Sequence, residues 1–453
     1  MRILSAPISA NLVLTEVCNL NCRHCYNFWR PENKKSDTLT KEKIDKLIAI
    51  LKEAGIFHVI INGGEPFSRF EFLEHTLQTL KEHNFTYSCN SNLVLATDDK
   101  IKRLLDLGLE HILTSLNSYD AKTNDFMVSC EGALGKITKG IETAVKNGMR
   151  VSANMIISKI NKDHVYKTGL LAHNLGCGKF FGTRSVPNVV SSNIDESGCN
   201  MTRQDYLSAI DELLKLKNDT GIMIGTLVSY PLCMLGDLDK YRDFVGRGCP
   251  SQSGNRLNIN PNGDVQVCVH SNETMGNIFK QSFKEIWEKT LPWHDGSLRN
   301  SSCAGCKYID VCMSGCRITS SVCNKALNGP DPLMTGPGNI YKDYKLAPSQ
   351  AIEERIKKGC QFTVPKRIRF RQEDGFFVLN IRWANAINVD NPQGEILKKY
   401  WASGKSFTLS DFGEENLKIL VQLFFKDAVE SEDLKDVQID KMLGCSFDPS
   451  ALR

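Results

Sequence analysis

The chain has 453 residues, of which 41% are hydrophobic and 24% charged, with a net charge of +4. That length suits two or three domains with separate cores. The mild basicity excludes the charged stripe of a nucleic-acid binder, and no apolar run approaches the roughly 18 residues needed to cross a bilayer.

From the N-terminus, "MRILSAPISANLVL" has neither the long apolar core nor the cleavage site of a signal peptide, so a cytoplasmic location is expected. Apolar, β-branched runs at 11–17, 58–63, 85–92, 111–117, 150–158 and 179–186 read as strands. Between them, 40–55, 97–108 and 135–148 carry helical periodicity and end in Gly. In the first, Ile44, Leu47, Ile48 and Leu51 share a face, with Thr40 as N-cap and Gly55 beyond the C-terminus. Alternating strands and helices over about 10–190 predict parallel βαβ units curling into a partial (β/α)6 TIM-like barrel, an α/β fold whose chemistry collects at the C-terminal strand ends. The expected domains are the barrel at 1–200, a helical bridge at 201–245 around "RQDYLSAIDELLKLKND", a cysteine-rich domain at 246–330 and a small α+β domain at 351–453. "NGPDPLMTGPGN" (328–339) is a Pro/Gly linker between the last two. In the tail, 366–382 reads as a hairpin turning at Asp374-Gly375, 387–392 as a third strand, and 394–404 and 415–430 as helices.

The 17 cysteines are an odd number for a paired framework, and in a cytosolic chain clustered thiols bind metal rather than form disulfides. Just after the first strand, "TEVCNLNCRHCYNF" spaces Cys18, Cys22 and Cys25 as Cys-x3-Cys-x2-Cys. A closed metal site normally has four ligands, so this one is a ligand short. Polar neighbours argue against three buried thiols. Zinc with His24 as fourth ligand requires one short loop to close the whole shell. A four-iron cluster held by three thiolates leaves one iron open to an exogenous ligand. Downstream come Cys249-x13-Gly263-x4-Cys268, then Cys303-x2-Cys306-x5-Cys312-x3-Cys316, then Cys323. A zinc knuckle is the alternative for the four-cysteine run. Cys89, Cys130, Cys177, Cys199, Cys233, Cys360 and Cys445 stand apart and read mostly as small buried hydrophobes.

Cys-x3-Cys-x2-Cys-Tyr after strand one, with Gly63-Gly64-Glu65-Pro66 after strand two, resembles the radical S-adenosylmethionine (SAM) superfamily. The resemblance implies that SAM chelates the open iron, that one low-potential electron splits its sulfonium, and that the resulting 5′-deoxyadenosyl radical abstracts a substrate hydrogen. Close approach to the SAM amino acid group is the expected reason for the glycines, with Glu65 accepting from its ammonium. By position, Tyr26, Asn90, Ser115, Asn117 and Asn154 are further SAM contacts or local caps. Where the family often has Arg-Gly, this chain has Glu131-Gly132, which leaves that contact in doubt.

The seven downstream cysteines are similar to the SPASM extension of peptide- and protein-modifying members. The family's interleaving implies one auxiliary cluster on Cys303, Cys306, Cys312 and Cys323. A second, on Cys249, Cys268 and Cys316, is one thiolate short, with Cys233, a non-Cys side chain or substrate as the candidate fourth ligand. Three 4Fe–4S clusters and SAM are thus the implied cofactors. Some relatives place a deprotonating Asp directly after the second SPASM cysteine; here Val269 and His270 follow, so no general base is carried over, and Asp264 and His270 remain candidates.

The tail resembles the winged-helix-like peptide-recognition element of ribosomal peptide modification systems. That implies a precursor peptide as partner, its leader added as a strand to the hairpin edge, with Arg367, Arg369 and Arg371 facing acidic leader residues or only solubilising an edge. Neither nucleic acid nor membrane is an expected partner; an external low-potential donor such as flavodoxin or ferredoxin is. The resulting expectation is a peptide maturase installing an oxidative crosslink (thioether, carbon–carbon or ether). The alternatives are a sulfatase-maturase-like formylglycine-generating oxidase and a non-enzymatic zinc or iron–sulfur module.

Overall fold

Five of the six apolar runs contain a strand, and the first, 11–17, overlaps one, in the computed structural model, which describes residues 2–27, 39–187, 201–343 and 350–436. Cys199 and Cys445 lie outside the described residues. The strands are β1 (Ser9–Val13), β2 (His58–Asn62), β3 (Thr86–Asn90), β4 (His111–Ser115), β5 (Arg150–Ile157) and β6 (Lys179–Arg184). They pair in parallel in that order, and β7 (Met223–Gly225) continues the series beside β6. All five residues of β1 and of β2 are buried, as expected of a parallel sheet covered on both faces. The helices between the strands are α1 (Lys41–Glu53), α2 (Phe70–Glu82), α3 (Asp98–Asp106), α4 (Ala121–Val128), α5 (Ala133–Lys146) and α6 (Val165–Asn174). Helix α1 starts as read from its sequence: the Thr40 side chain caps Lys43 N, and Ile44, Leu47, Ile48 and Leu51 are its buried face.

The order of β1–β7 is that of an α/β barrel, and the sheet stays open rather than pairing β7 back to β1. The free edge of β1 instead takes β8 (Arg256–Ile259) in parallel, and β9 (Asp264–Gln266) and β10 (Gly276–Asn277) extend it antiparallel to ten strands. The sheet carrying Cys268 is therefore continuous with the sheet carrying the first cysteine motif. Residues 201–245 are more than a helical bridge. They hold α7 (Arg203–Thr220), β7 and the short helix α8 (Leu232–Leu235).

The described residues form two compact units. The first runs up to Gly236 and includes Arg247–Tyr341; the second combines Asp237–Gly246 with the chain from Lys342. In the second, β11 (Arg369–Gln372), β12 (Phe376–Arg382) and β13 (Asn385–Asp390) form an antiparallel sheet, with Gly375 at φ +81° in the first turn. Helices Asn391–Ser403 and Leu417–Phe425 follow, and Phe362, Phe377, Leu397, Phe407 and Leu420 lie in the core. The three arginines expected to face a leader have partners within this unit. Arg367 Nη1 donates to Glu430 Oε1 (2.6 Å), Arg369 Nη2 to Asn380 Oδ1 (2.8 Å) and Arg371 Nε to Glu373 Oε1 (2.7 Å). Among the described residues no helix is long and apolar enough to cross a membrane.

Candidate metal centres

The first cysteine loop is fixed on both sides by backbone. Beyond the paired strands, Leu14 N donates to Asn62 O (2.8 Å), Gly64 N to Thr15 O (2.7 Å) and Glu65 N to Val17 O (2.8 Å). The loop after β2 thus lies directly against the chain entering the cysteine loop. A Cβ on Gly64 would stand 2.3 Å from Val17 O, and one on Gly63, at φ +154°, 2.6 Å from Thr15 O. The glycines are required by this approach of protein to protein, whatever else binds there. On the other side Arg23 N donates to Met127 O (2.9 Å) and Asn21 N to Val128 O (3.3 Å), at the end of α4. The Arg23 guanidinium lies 4.1 Å from the Phe126 ring centre. Asn27 Nδ2 donates to Gly63 O (3.3 Å). Cys18, Cys22 and Cys25 are each half-buried.

Glu65 is only 1% exposed. Its carboxylate accepts from Phe67 N (3.0 Å), Ser91 Oγ (2.7 Å) and Asn92 N (2.8 Å). Burial raises its pKa, against the pull of these donors. Glu65 therefore caps the turn begun by Pro66 and ties the β2 loop to the β3 loop. Asn90 ends β3 and Ser115 ends β4, where Asn154 of β5 is the register partner of Ser115. Asn154 Oδ1 accepts from Thr183 Oγ1 (2.5 Å). Asn117 Oδ1 accepts from Ile156 N (3.1 Å), while Asn117 Nδ2 is buried with no hydrogen-bond partner among the described residues. An orphaned donor beyond the C-terminal end of β4 fits a cofactor with acceptor groups.

The downstream thiols fall into two sets. Cys249, Cys268 and Cys316 share one field. Burial raises Cys268 to about 12, helped by the Cys249 and Cys316 thiols, and burial together with Cys316 raises Cys249. Cys303, Cys306 and Cys312 form the other set. Burial raises Cys312 to about 12, and Cys233, Cys303 and Cys306 add to it. Binding of iron would displace these protons. Cys233 lies near the set of Cys303, Cys306 and Cys312, where its neighbour Leu232 donates N–H to Cys312 Sγ (3.4 Å). Among the described residues no three His, Cys, Asp or Glu side chains are close enough to hold a single metal ion. A zinc shell, with every sulfur about 2.3 Å from one ion, is not preformed. An iron–sulfur cube, with one thiolate per corner, holds its cysteines farther apart.

Two features had no reading from sequence. The ring of Tyr26, next to Cys25, lies 4.9 Å from that of His270. His270 Nδ1 is 3.7 Å from Cys268 Sγ, so the two aromatic side chains join the first cysteine loop to the second set. Arg184, at the end of β6, makes a bidentate ion pair with Asp331 (2.8 and 3.1 Å). The side chains are 2% and 0% exposed. Asp331 also accepts from Cys316 N (2.8 Å) and Leu333 N (3.0 Å), so it holds a cysteine-bearing turn against the strand end. Asp331 lies in the segment read as a linker. Its neighbours Gly329, Pro330 and Pro332 dominate that pattern, and only the burial of Arg184 gives the aspartate away.

Residues 12–172 match the model of the radical SAM superfamily, and 249–316 that of the SPASM iron–sulfur cluster-binding domain. An AdoMet-dependent heme synthase of Methanosarcina barkeri is 25% identical over 69% of this chain and 92% of its own. A PqqA peptide cyclase of Methylocella silvestris is 23% identical over 72% and 87%. Among solved structures, SuiB of Streptococcus suis bound to its precursor peptide SuiA is similar in fold. Its TM-score is 0.59 at 17% identity, over 73% of this chain and 76% of that one.

Proposed function

Because the chain belongs to the radical SAM superfamily and carries a SPASM domain, we propose that it is a peptide maturase that installs an oxidative crosslink in a ribosomally made precursor. The observation that carries this reading is the pairing of the half-buried Cys18, Cys22 and Cys25 loop, clamped against Gly63–Glu65, with two further thiol sets in the SPASM region. When bound, SAM on a four-iron cluster supplies a carbon-centred radical able to take hydrogen from an unactivated position. The chain's own part is positional. Cys18, Cys22 and Cys25 would hold the cluster, and the ladder from Thr15 and Val17 to the glycine loop fixes where they point. Asn117 Nδ2 offers a donor to the cofactor. Glu65, occupied by three protein donors, keeps the two loops together rather than releasing an oxygen to the ammonium. The thiols on the SPASM side would hold auxiliary clusters able to take up the electron that a substrate radical must lose.

A peptide rather than a porphyrin substrate is supported by the peptide cyclase relative, by the precursor-bound state of SuiB, and by the separate α+β unit. In that unit β11 pairs, among the described residues, only with β12, which leaves a strand edge for a leader. Since Arg369 and Arg371 are already hydrogen-bonded inside the unit, backbone pairing rather than arginine–acid contacts would hold the leader. The test is mass spectrometry of a short peptide encoded beside this chain and co-expressed with it. A loss of two hydrogens per modification is expected. An unmodified peptide beside active SAM cleavage would refute the peptide reading.

A further inference from the structure

Tyr26 and His270, both half-buried, span from the loop of Cys18, Cys22 and Cys25 to the sulfur of Cys268. We propose that His270 is a positioning residue: it donates Nδ1–H to the Cys268 sulfur, Tyr26 holds its ring there, and the hydrogen bond raises the reduction potential of the cluster on Cys249, Cys268 and Cys316.

The placement follows from the sheet. Strand β8 runs parallel to β1 and β9 antiparallel to β8, so β9 leads away from the strand end that carries the first cysteine loop. Cys268 and His270 follow β9, and the Tyr26 ring reaches His270 across that interval, with ring centres 4.9 Å apart and the planes tilted by 55°. Both side chains stand on anchored backbone. Ser271 N donates to Cys268 O (3.0 Å), which closes a turn with His270 inside it, and Glu273 N donates to Ser271 Oγ (3.1 Å). Tyr26 lies between Cys25, whose N donates to Cys22 O (3.2 Å), and Asn27, whose Nδ2 donates to Gly63 O (3.3 Å).

The contact of His270 Nδ1 with Cys268 Sγ is 3.7 Å. An iron-bound thiolate can only accept, so the proton belongs on Nδ1. At this distance the ring touches the ligand of one cluster corner; a corner of its own would stand farther off. Hydrogen bonds to ligand sulfur are among the factors that set a cluster's potential, and an N–H there stabilises the reduced, more negative state. The direction favours uptake of an electron by this cluster. His270 then acts through Cys268 rather than as a base on substrate.

This inference rests on the reading that Cys249, Cys268 and Cys316 hold an auxiliary cluster, and the test separates the two. Full-length protein purified under argon is titrated potentiometrically and followed by low-temperature electron paramagnetic resonance, with iron and sulfide measured alongside. The signal to follow is unchanged by added SAM and absent from Cys268→Ala. If the wild type shows no such signal, the reading of a cluster there is overturned, and the proposal with it. His270→Phe keeps an aromatic ring against Tyr26 and removes the N–H. Its midpoint should fall by about 59 mV, a tenfold change in the one-electron equilibrium, at unchanged iron content. His270→Asn, whose amide nitrogen takes the place of Nδ1, should keep a midpoint near that of the wild type. Tyr26→Ala, remote from Cys268 in sequence, should lower the midpoint in the same direction, and it decides the matter if H270F does not fold. A wild-type midpoint in H270F or Y26A, or an equal fall in H270F and H270N, overturns the proposal. So does loss of this signal and its iron from H270F while the other signals persist, which would make His270 a ligand.

Discussion

Replacing Asp331 by Asn tests how the end of β6 is joined to the Cys316 turn. The change is nearly isosteric but leaves the Arg184 guanidinium, 2% exposed, without its counter-charge. Removing one partner of a buried ion pair costs about 3–5 kcal/mol, because the remaining charge stays desolvated. Cys316 N and Leu333 N donate to different oxygens of Asp331, so Asn keeps only one of these hydrogen bonds, and the other, worth about 1 kcal/mol, adds to the loss. The variant should therefore lose about 3–5 kcal/mol in anaerobic equilibrium denaturation. The double variant R184M/D331N, which removes the stranded charge, should be more stable than D331N alone, as a double-mutant cycle would show. A loss below about 1 kcal/mol in D331N, or a double variant worse than the sum of the singles, would refute the reasoning.

Three further outcomes are expected. Gly64→Ala forces a methyl against Val17 O, a backbone atom with no room to retreat, so 5′-deoxyadenosine release should fall at least about tenfold while the second unit's folding is unchanged. His294 is buried, with Nδ1 2.9 Å from Ser251 O and Nε2 2.8 Å from Thr290 Oγ1, and burial lowers its pKa from 6.5 to about 4. Its stabilising neutral form is kept above about pH 6.5 and lost as pH falls toward 4, so between pH 7 and pH 5 the fold should lose about 2 kcal/mol that H294Q does not lose. Deleting the chain from residue 350 should leave SAM cleavage intact and weaken precursor binding about tenfold or more by titration; unchanged affinity would remove the leader-binding role from that unit.

Local patterns were readable from sequence, and distant pairings were not. The strand runs and the cap at Thr40 depend on neighbours a few residues away, and so do the two loops that end β1 and β2. The pairing of β8 with β1 joins residues almost 250 apart, with no periodicity to announce it. Strand β7 has three residues, too few to stand out beside α7. Cys233 reads from sequence as an isolated hydrophobe or a candidate fourth ligand; that its neighbour Leu232 bonds to Cys312 Sγ is visible only in the fold of α8. The short motif marks Glu65 as a cofactor contact; its burial and its bonds to Ser91 and Asn92 come from the loop after the next strand and are not legible in it. Pro66 following it was the one local hint of a capped turn. The arginines of 367–371 showed their alternation but not their partners, which come from Asn380, Glu373 and Glu430.

The central claim is that Cys18, Cys22 and Cys25 hold a cluster on which SAM is reductively cleaved. The direct measurement is 5′-deoxyadenosine formed from added SAM by the reduced protein under argon, wild type against Cys22→Ala. Release by the wild type, and none from the folded variant, is the expected result; equal release from both, or none from either, would contradict it.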